Sequence, residues 1–436
     1  MKDYALPEKF IERMKEQLPP GQVLDFLASY QNPPYKGIRV NTLKCTPCEF
    51  EKISPYALER VAWEENGFYV QEEKVGAHPY HFAGLFYSQE PSAMSVAPML
   101  GVNPGERVLD LCSAPGGKGT QLASAMQGEG ILVLNEPISS RAKILSQNVE
   151  RMGVRNAIVL SEMPERLSEV FQGYFDKILV DAPCSGEGMF RKNAEEALTE
   201  WNEENVELCA NRQKKILTEA IKMLKAGGRL AYSTCTFALE EDEEQLAWLL
   251  EAYPECKLIK SEKIYPHLQK GEGHFAFVVE KTSGEEEGKT PKLKRTLTRQ
   301  GETAYREFEK AFFKEKFAYT LHEANGILYE LPKDTFEFKG LSVLRAGVRL
   351  GELVNGRFEP SHSLAMCVKK ERCKNVLDLP LIDERVEKFL RGETIDGELA
   401  KGWCLVCVDG YPIGIGKSVN GAIKNHIPKA LRKQSR

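Results

Sequence analysis

Apolar runs and amphipathic stretches alternate in the middle of the chain, from about residue 82 to residue 281. Five apolar runs have the length and composition of buried strands. These strands are predicted at Val108–Cys112, Ile131–Asn135, Ala157–Leu160, Lys177–Asp181 and Arg229–Ser233. Helices are predicted between and after them, at Ser139–Met152, Asn205–Leu224 and Glu240–Tyr253. This alternation is typical of a doubly wound, mostly parallel α/β sheet, and we assign that domain to residues 82–281.

The end of this domain departs from the alternation. Lys257–Ile259 and His274–Glu280 both have the composition of strands, and no helix is predicted between them. A parallel connection usually contains a helix. We therefore expect the last strand to be antiparallel.

Shorter elements flank the core. Residues 1–81 are predicted to form a small α/β extension, in which Arg39 and Asn41 alternate with apolar residues and should share one exposed face, most simply on a solvated edge strand. Residues 282–300 are rich in charge and glycine, which predicts a linker. An α+β region follows, with a first C-terminal domain at 301–375 and a strand-rich module at 376–436. Its predicted elements include a helix at Glu302–Phe317 and strands at Gly326–Leu331, Leu341–Leu350 and Ala365–Val368.

Composition indicates an ordinary globular protein, with 42% hydrophobic and 28% charged residues. Because the net charge is −4, any nucleic-acid contact must come from local basic surface. The stretch from Lys424 to Arg436, with five positive residues and no acid, is either a solvated tail or a phosphate-contacting one. The opening residues lack the pattern of a signal peptide, and no apolar run approaches the length of a membrane span. We therefore expect a cytoplasmic protein without membrane contact and with reduced cysteines.

Two C-x-x-C pairs, Cys45/Cys48 and Cys404/Cys407, raise the question of a metal site. A zinc ribbon needs a second pair nearby in sequence, and neither pair has one. Cys404 and Cys407 also lie in a strand-like run, where residues three apart point to opposite faces. We therefore expect buried thiols and no metal.

The stretch Arg107–Lys118 has the most distinctive local pattern, a strand that breaks into Ala-Pro-Gly-Gly and continues as a helix. This layout brings a ligand onto backbone N–H groups at the start of a helix. It is not a P-loop, because Cys112 stands where the first glycine is needed and Gly119 follows the lysine. The dinucleotide fingerprint G-x-G-x-x-G is absent as well. A tight turn without a ligand remains the alternative.

Chemically useful residues follow all five predicted strands, at the ends where doubly wound sheets form their sites. The five ends are Cys112-Ser113-Ala114-Pro115-Gly116, Asn135-Glu136, Ser161-Glu162, Asp181-Ala182-Pro183-Cys184-Ser185-Gly186 and Ser233-Thr234-Cys235-Thr236. Glu136 comes one βα step after the glycine turn, where an acid accepts hydrogen bonds from a ribose diol. Cysteine is ordinarily buried and inert. Two at one ligand-facing edge, Cys184 and Cys235, favour nucleophilic catalysis.

Together these segments resemble the signature motifs of the Nol/Nop/Sun family of RNA cytosine-5 methyltransferases. The resemblance rests on Asp110–Lys118, Asp181–Gly188 and Ser233–Thr236, and it extends to Tyr87–Met94 and Ile38–Thr42. The part from about 290 to 436 resembles the RsmF-type bacterial members, which end in PUA-like RNA-binding modules. The resemblance implies a Rossmann-like class I methyltransferase core, S-adenosylmethionine as cofactor and small-subunit ribosomal RNA as substrate.

The resemblance also implies roles for individual residues. Cys235 would be the nucleophile, Cys184 would assist product release, and Asp181 would contact the base. The cofactor contacts carried over are Cys112, Ser113, Ala114, Pro115, Gly116, Gly117, Lys118, Glu136 and Asp181. Glu162 is our choice for an acid near the adenine, and Arg141 either braces the cofactor carboxylate or faces solvent. The residues alone do not rank the two thiols, since both stand at strand ends.

The reaction explains these residue types. Carbon 5 of cytosine is a poor nucleophile, and addition of a thiolate at carbon 6 turns the ring into an enamine that can take a methyl group. A carboxyl group near ring nitrogen 3 favours that addition. The base must be unstacked, so single-stranded or loop RNA is expected. Predicted phosphate contacts are Arg191 and Lys192 and, on a helix, Arg212, Lys214 and Lys215, for which an exposed helix face is the alternative.

Three other functions stay open. A 5-methyluridine methyltransferase would use the same thiol chemistry. A catalytically idle RNA-binding assembly factor would not need Asp181, Cys184 and Cys235. A nicotinamide oxidoreductase would need the missing fingerprint. We expect an RNA 5-methylcytosine methyltransferase that acts on RNA and not on DNA, as a monomer.

Overall fold

The computed structural model describes residues 6–192, 194–284, 288 and 290–434, and its N-terminal part is a small α/β unit. The helices are α1 (Glu8–Gln17), α2 (Pro20–Ser29), α3 (Pro47–Ile53) and α4 (Pro79–Phe82), and the strands are β1 (Gly37–Val40), β2 (Glu59–Arg60), β3 (Gly67–Tyr69) and β4 (Phe86–Ser88). The four strands form an antiparallel sheet in the order β2-β3-β1-β4.

Strand β1 lies inside this sheet, so the expectation of a solvated edge strand is wrong. The side chains of Arg39 and Asn41 are buried, at 1% and 0% exposure. Asn41 Nδ2 donates hydrogen bonds to the carbonyl oxygens of Gly84 and Met152, both at 2.8 Å. The polar face of β1 therefore packs against the next domain instead of facing water.

The central domain alternates strands and helices as predicted. Its strands are β5 (Arg107–Asp110), β6 (Ile131–Asn135), β7 (Ala157–Leu160), β8 (Phe175–Asp181), β9 (Leu224–Thr234), β10 (Cys256–Ile264) and β11 (His274–Lys281). Its helices are α5 (Val96–Leu100), α6 (Gly117–Met126), α7 (Ser139–Arg151), α8 (Pro164–Val170), α9 (Ala194–Glu200), α10 (Glu203–Met223) and α11 (Glu243–Ala252).

The C-terminal part mixes strands with three helices in its described residues, α12 (Arg299–Phe312), α13 (His362–Met366) and α14 (Glu384–Leu390). Its strands are β12 (Leu321–Ala324), β13 (Ile327–Glu330), β14 (Val343–Ala346), β15 (Val348–Val354), β16 (Arg357–Pro360), β17 (Val376–Leu379), β18 (Ile395–Asp396), β19 (Gly402–Val408), β20 (Tyr411–Val419) and β21 (Ala422–Asn425). The strand predicted at Leu341–Leu350 is two strands, because Gly347 turns the chain with φ of +54°. The strand predicted at Ala365–Val368 is wrong, since α13 occupies the start of that range.

The central sheet has the order β10-β11-β9-β8-β5-β6-β7-β14. The five strands from β9 to β7 are parallel. Strand β11 pairs antiparallel with β9, and β10 pairs antiparallel with β11. Strand β5 is covered on both faces, since Leu109 and Val108 belong to different hydrophobic cores. The predicted doubly wound sheet with an antiparallel last strand is confirmed.

Strand β14 extends this sheet from outside the central domain. It pairs antiparallel with β7 at the edge opposite β10. Arg345 of β14 forms an ion pair with Glu150 of α7 at 2.9 Å, and the two side chains are 8% and 20% exposed. The C-terminal part is therefore built into the core sheet.

The last module contains a five-stranded sheet in the order β17-β19-β20-β21-β18. Cys404 and Cys407 of β19 are both buried and belong to different cores, so they lie on opposite faces as predicted. The core that contains Cys404 also holds Phe50 of the N-terminal unit and Phe389 of α14. The two ends of the chain therefore pack together.

None of the helices in the described part of the chain combines the length and the hydropathy that crossing a bilayer requires. Within the same residues, no group of three or more His, Cys, Asp or Glu side chains is arranged to hold a metal ion.

Candidate active site

The carboxyl ends of the five parallel strands meet at one edge of the central sheet. This edge holds the glycine loop after β5, two glutamates after β6 and β7, Asp181 as the last residue of β8, Cys184 after β8, and Cys235 after β9. The structure thus brings to one edge the residues that the sequence analysis selected from five separate segments.

The loop after β5 enters α6 at Gly116, which caps the helix with φ of +111°. That region of backbone conformation favours glycine. Gly119 is required for a different reason, because a Cβ there would lie 2.6 Å from Ser113 Oγ and 3.0 Å from Asp110 Oδ2. The first turn of α6 and the end of β5 therefore approach each other too closely for a side chain.

Asp110, the last residue of β5, holds this loop through a hydrogen bond with Ser113. Its side chain is 0% exposed, and Ser113 Oγ donates a hydrogen bond to Oδ2 at 2.7 Å. The other oxygen, Oδ1, is buried and has no partner among the described residues. Burial raises the pKa of Asp110 to about 7, the hydrogen bond from Ser113 opposes this rise, and the charge of Asp181 adds to it.

Lys118 and Asp181 form an ion pair, with 2.7 Å between Nζ and Oδ1 and exposed fractions of 7% and 34%. Ser233 Oγ donates to the same oxygen at 2.8 Å. Burial pushes the pKa of Asp181 upward, but the charge of Lys118 and the hydrogen bonds from Lys118 and Ser233 are among the effects that together outweigh burial, so the pKa lies below its ordinary value. Asp181 is therefore a carboxylate at neutral pH, which accepts hydrogen bonds and cannot donate one.

His274 lies close to this ion pair, at the start of β11. Its side chain is 3% exposed, and Nε2 has no hydrogen-bond partner among the described residues. Burial lowers the pKa of His274 to about 3, and the charge of Lys118 lowers it as well. The imidazole is therefore neutral, and Lys118 is the cation that keeps Asp181 ionised.

The two glutamates at the site are held in place by neighbouring segments. Glu136 is 2% exposed, and Arg141 Nη1 lies 3.2 Å from its Oε2. Arg141 Nη2 also donates to the carbonyl oxygen of Ala114 at 3.2 Å, so this side chain joins the end of β6 to the glycine loop. Glu162 accepts a hydrogen bond from the backbone N–H of Ser342 at 2.5 Å, just before β14.

The two cysteines are in direct contact, with 3.3 Å between the sulfur atoms of Cys184 and Cys235. The backbone N–H of Cys235 also donates to Cys184 Sγ at 3.4 Å. Contact with the Cys235 thiol, followed by burial, raises the pKa of Cys184. Cys184 is therefore held as a neutral thiol beside a second sulfur.

Hydrogen bonds join the two loops that carry these cysteines. Ser185 Oγ and Thr236 Oγ1 lie 2.9 Å apart. Beneath them Glu241, at 0% exposure, accepts from the backbone N–H of Ser185 at 3.0 Å and from Gln213 Nε2 at 2.7 Å. Supporting bonds of this kind fix the geometry of a reactive pair.

The prediction that Arg191 contacts phosphate is wrong. Its side chain is 5% exposed, forms a 2.7 Å ion pair with Glu272, and donates to the carbonyl oxygen of Ser29 in α2. This arginine joins the N-terminal unit to the core. The other predicted phosphate contacts keep access to solvent, fully for Lys192, Arg212 and Lys215 and in part for Lys214.

Three residues near the site, Ile138, Met163 and His274, were missed by the sequence analysis. Ile138 and Met163 are 53% and 58% exposed, and each comes just after an acid at a strand end. An exposed apolar residue that closely follows an acid at a strand end could have indicated Ile138 and Met163 from the sequence. His274 gave no comparable signal, because its proximity to the site depends on pairing between distant segments. Ser233 and Arg39 lie in motif segments, but their contacts with Asp181 and Gly117 were not predicted.

Known relatives match the chain over nearly its whole length. Ribosomal RNA small subunit methyltransferase F of Vibrio cholerae serotype O1 is 33% identical, and the match covers 98% of each protein. The protein of the same name from Photobacterium profundum is 34% identical over 98% of this chain and 97% of its own. Residues 97–285 match the family described as 16S rRNA methyltransferase RsmB/F. The chain belongs to that family.

The remaining segments of this RsmB/F-family methyltransferase match three further domains. Residues 6–91 match the N-terminal domain of 16S rRNA methyltransferase RsmF, residues 307–368 its first C-terminal domain, and residues 376–433 its PUA domain. The predicted family and the predicted class, an RNA methyltransferase, are confirmed.

Solved structures support the fold. A methyltransferase homolog from Pyrococcus horikoshii is 27% identical, with a TM-score of 0.57 over 63% of this chain and 95% of that chain. NSun6 from Pyrococcus horikoshii, solved with SFG, is 21% identical, with a TM-score of 0.57 over 64% of this chain and 99% of that chain. The predicted Rossmann-like α/β core with a PUA-like C-terminal module is confirmed.

Proposed function

We propose that this methyltransferase adds a methyl group from S-adenosylmethionine to carbon 5 of a cytosine in small-subunit ribosomal RNA. One observation carries the proposal: two thiols in contact at 3.3 Å stand at the same sheet edge as an ionised aspartate and a glycine loop. A protein that only bound RNA would have no use for a half-buried pair of thiols whose loops are held together by hydrogen bonds.

The residues at this edge fit S-adenosylmethionine. The cofactor carries a sulfonium, an ammonium and a ribose diol, which favour carboxylate acceptors. Glu136, Glu162 and Asp181 supply such acceptors at the sheet edge, and the buried Oδ1 of Asp110, which supports the glycine loop, has no partner among the described residues. An anionic dinucleotide would suit this set poorly. NSun6, a relative in fold, was solved with SFG, an analogue of this cofactor.

The glycine loop from Cys112 to Lys118, with Ser113, Ala114, Pro115, Gly116 and Gly117, would bind the cofactor through backbone N–H groups at the start of α6. Glu136 would accept from the ribose, with Arg141 bracing it. Glu162 stays our choice for the adenine edge. The exposed side chains of Ile138 and Met163 offer apolar surface to the adenine face.

Cys235 would act as the nucleophile. Its sulfur adds to carbon 6 of the base, which makes carbon 5 electron-rich. When bound, S-adenosylmethionine supplies an electrophilic methyl group to that carbon. Transfer of the carbon 5 proton to water, with cleavage of the carbon–sulfur bond so that its electron pair returns to the sulfur, then restores the ring and frees Cys235. This ranking of the two sulfurs follows the resemblance of Ser233–Thr236 and Asp181–Gly188 to the family's motifs. Contact with Cys235 and burial raise the pKa of Cys184, which suits a thiol that keeps its proton for the release step.

Asp181 would select cytosine over uracil. Cytosine presents an amino group at carbon 4 and uracil a carbonyl oxygen, so an ionised carboxylate attracts the first and repels the second. Lys118 keeps the pKa of Asp181 low, which supports this role. A 5-methyluridine enzyme would need a donor at this position.

Cys184 would assist release of the product. Its thiol lies 3.3 Å from the Cys235 sulfur and is therefore placed to exchange a proton near the adduct. Expulsion of a sulfur leaving group is faster when proton transfer is assisted.

The RNA would be a single-stranded or looped segment, because a stacked base cannot reach the thiols. Exposed Arg212 and Lys215 on α10, Lys192 beside the site and the PUA-like module supply contacts to phosphate. We propose that a monomer acts in the cytoplasm on naked 16S RNA or on the assembled 30S subunit.

The test is the chemical identity of the product. The full-length enzyme is incubated with S-adenosylmethionine carrying an isotopic methyl label and with either 16S RNA or 30S subunits, and the digested nucleosides are resolved by mass spectrometry. We expect label in 5-methylcytidine. Asp181→Asn should lower kcat by about 10- to 100-fold, since a neutral amide makes a weaker hydrogen bond to the amino group of cytosine than a carboxylate does.

Asp176→Asn is the matched control, because Asp176 stands at the other end of β8 and pairs with Lys225 at 3.0 Å. Its kcat should equal that of the unmodified enzyme. Label in 5-methyluridine, or no transfer to either RNA form, would contradict the proposal.

A further inference from the structure

Arg39 connects the N-terminal sheet to the glycine loop of the central domain. Its side chain is 1% exposed and reaches the first turn of α6. Nη1 donates hydrogen bonds to the carbonyl oxygen of Gly117 and to Gln89 Oε1, both at 2.6 Å. Nη2 donates to Thr120 Oγ1 at 2.8 Å. One arginine from outside the central domain thus binds both backbone and side chain of the loop.

Thr120 extends this contact to the other glycine. Its hydroxyl accepts from Arg39 and donates to the carbonyl oxygen of Gly116 at 2.7 Å. The Gly116 carbonyl also accepts the backbone hydrogen bond from the N–H of Thr120 at 2.9 Å. Arg39 therefore adds a direct hold on the Gly117 carbonyl and, through the Thr120 hydroxyl, a second hold on the Gly116 carbonyl.

Fixing these two carbonyls also fixes two N–H groups. A trans peptide is planar, so its N–H points away from its C=O. The peptides of Gly116 and Gly117 carry the N–H groups of Gly117 and Lys118, which open α6 and lack partners within the helix. Together with the backbone hydrogen bond of α6 at Gly116, Arg39 therefore holds the direction of the N–H groups on which a ligand at this helix start depends.

The charge of Arg39 is costly at this position. Burial lowers its pKa to about 10, while the charge of Glu64 raises it, so the group is a cation at neutral pH. Its three hydrogen-bond acceptors are a carbonyl, an amide and a hydroxyl, all of them neutral. A buried cation beside the positive end of a helix dipole is unfavourable for stability. An apolar side chain could fill the same space without the free-energy cost of burying a charge. The presence of an arginine here therefore indicates a role in the site.

We propose that Arg39 is a positioning residue for the cofactor loop, so that the N-terminal unit prepares the site for S-adenosylmethionine in addition to any contact with RNA. The inference rests on the proposed function, since it names that cofactor as the ligand of the loop. Its positive charge also strengthens the potential that the start of α6 presents to an anionic group.

The test compares S-adenosylmethionine binding by calorimetry, using full-length variants. Arg39→Ala should raise Kd and the KM for S-adenosylmethionine by at least about tenfold, with a much smaller change in kcat at saturating cofactor. Arg39→Lys should recover only part of the affinity, because an ammonium cannot donate in the two directions of the guanidinium fork. Added guanidinium ion should restore binding to Arg39→Ala and leave the unmodified enzyme unchanged.

Asn41→Ala is the matched control. Asn41 stands on the same face of β1 and crosses the same interface, but it bonds to Gly84 and Met152 and not to the loop. It should lower the unfolding temperature and leave Kd unchanged. If Arg39→Ala does not fold, Thr120→Val provides the test. This substitution removes the hydrogen bond from the Thr120 hydroxyl to the Gly116 carbonyl, and it should raise the Kd for S-adenosylmethionine by a smaller factor than expected for Arg39→Ala.

The outcomes are separable. No binding by the unmodified enzyme would overturn the proposed function itself. Tight binding by the unmodified enzyme together with an equal Kd for Arg39→Ala would overturn the role of Arg39 alone. If Arg39→Ala and Asn41→Ala weaken S-adenosylmethionine binding equally, Arg39 is a general contact between the two domains and not a positioning residue for the loop.

Discussion

Asp110 couples the stability of the protein to pH. Burial raises its pKa from an ordinary value of 3.8 to about 7. The folded state therefore binds a proton more tightly than the unfolded state, so the stabilising contribution is complete below about pH 4, declines as pH rises and is lost above about pH 7. Asp110→Asn removes this titration. The difference in free energy of unfolding, variant minus unmodified protein, should become more positive between about pH 5 and about pH 8.

This difference is measured by chemical denaturation of both proteins at each pH. Taking the difference cancels other groups that titrate in the same range, such as Glu241, whose pKa burial raises to about 7. The charge of Asp181 acts on Asp110, and its own low pKa keeps it constant over this range. A difference that does not vary with pH would mean that Asp110 is ionised in the folded state.

The burial of two arginines could not be predicted from the sequence. Arg39 and Arg191 were expected at the surface, and both are buried in contacts between the N-terminal unit and the core. A basic residue next to a site motif is equally consistent with a phosphate contact and with an internal brace. Only the partner decides between them, and Gly117 and Glu272 are distant in sequence.

At the scale of the element, the start of α6 depends on a glycine inside the helix. A Cβ on Gly119 would meet Ser113 Oγ at 2.6 Å, Leu134 Cδ2 at 2.8 Å and Asp110 Oδ2 at 3.0 Å. Gly119→Ala should therefore destabilise the protein by about 1–3 kcal/mol and weaken cofactor binding, since α6 must move away from β5. Thermal unfolding and calorimetry measure the two effects.

Gly21→Ala is the control for helix propensity. Gly21 lies in α2, and a Cβ at this position would meet no neighbouring atom within 4 Å, so alanine there should leave stability unchanged or raise it slightly. Gly119→Ala with unfolding temperature and Kd equal to those of the unmodified protein would show that the loop is not tightly packed.

The elements that sequence reasoning predicted well are the continuous apolar strands of the central sheet. Such runs are buried on both faces, so their signal does not depend on partners. The strand prediction failed at Ala365–Val368, because four consecutive apolar residues are compatible with either a strand or a helix. Leu364, Ala365 and Met366 form one turn of α13, and Ser361 caps it by accepting from the N–H of Leu364. That capping serine was the available clue.

In the molecule as a whole, the predicted domains share a sheet and a hydrophobic core, which the sequence did not indicate. Strand β14 joins the central sheet, and a single core connects Phe50 near one end with Phe389 near the other. These contacts join segments far apart in sequence, so no local pattern reports them. The motifs that predicted the site are local, which is why its five strand ends were found and its supports, Arg39 and Ser342, were not.

In the proposed mechanism, two adjacent thiols have different tasks in one covalent reaction: Cys235 forms the adduct and Cys184 assists its release. Cys184→Ala and Cys235→Ala are each mixed with S-adenosylmethionine and 16S RNA and run on a denaturing gel. Cys184→Ala should accumulate a covalent protein–RNA band, because the adduct forms and is not released. Cys235→Ala should give neither the band nor methylated RNA.

Cys256→Ala, a buried cysteine at the start of β10, should behave like the unmodified enzyme. We expect a trapped band with Cys184→Ala alone. A band with Cys235→Ala and none with Cys184→Ala would exchange the two roles, and active methylation by Cys235→Ala would contradict covalent catalysis by this pair.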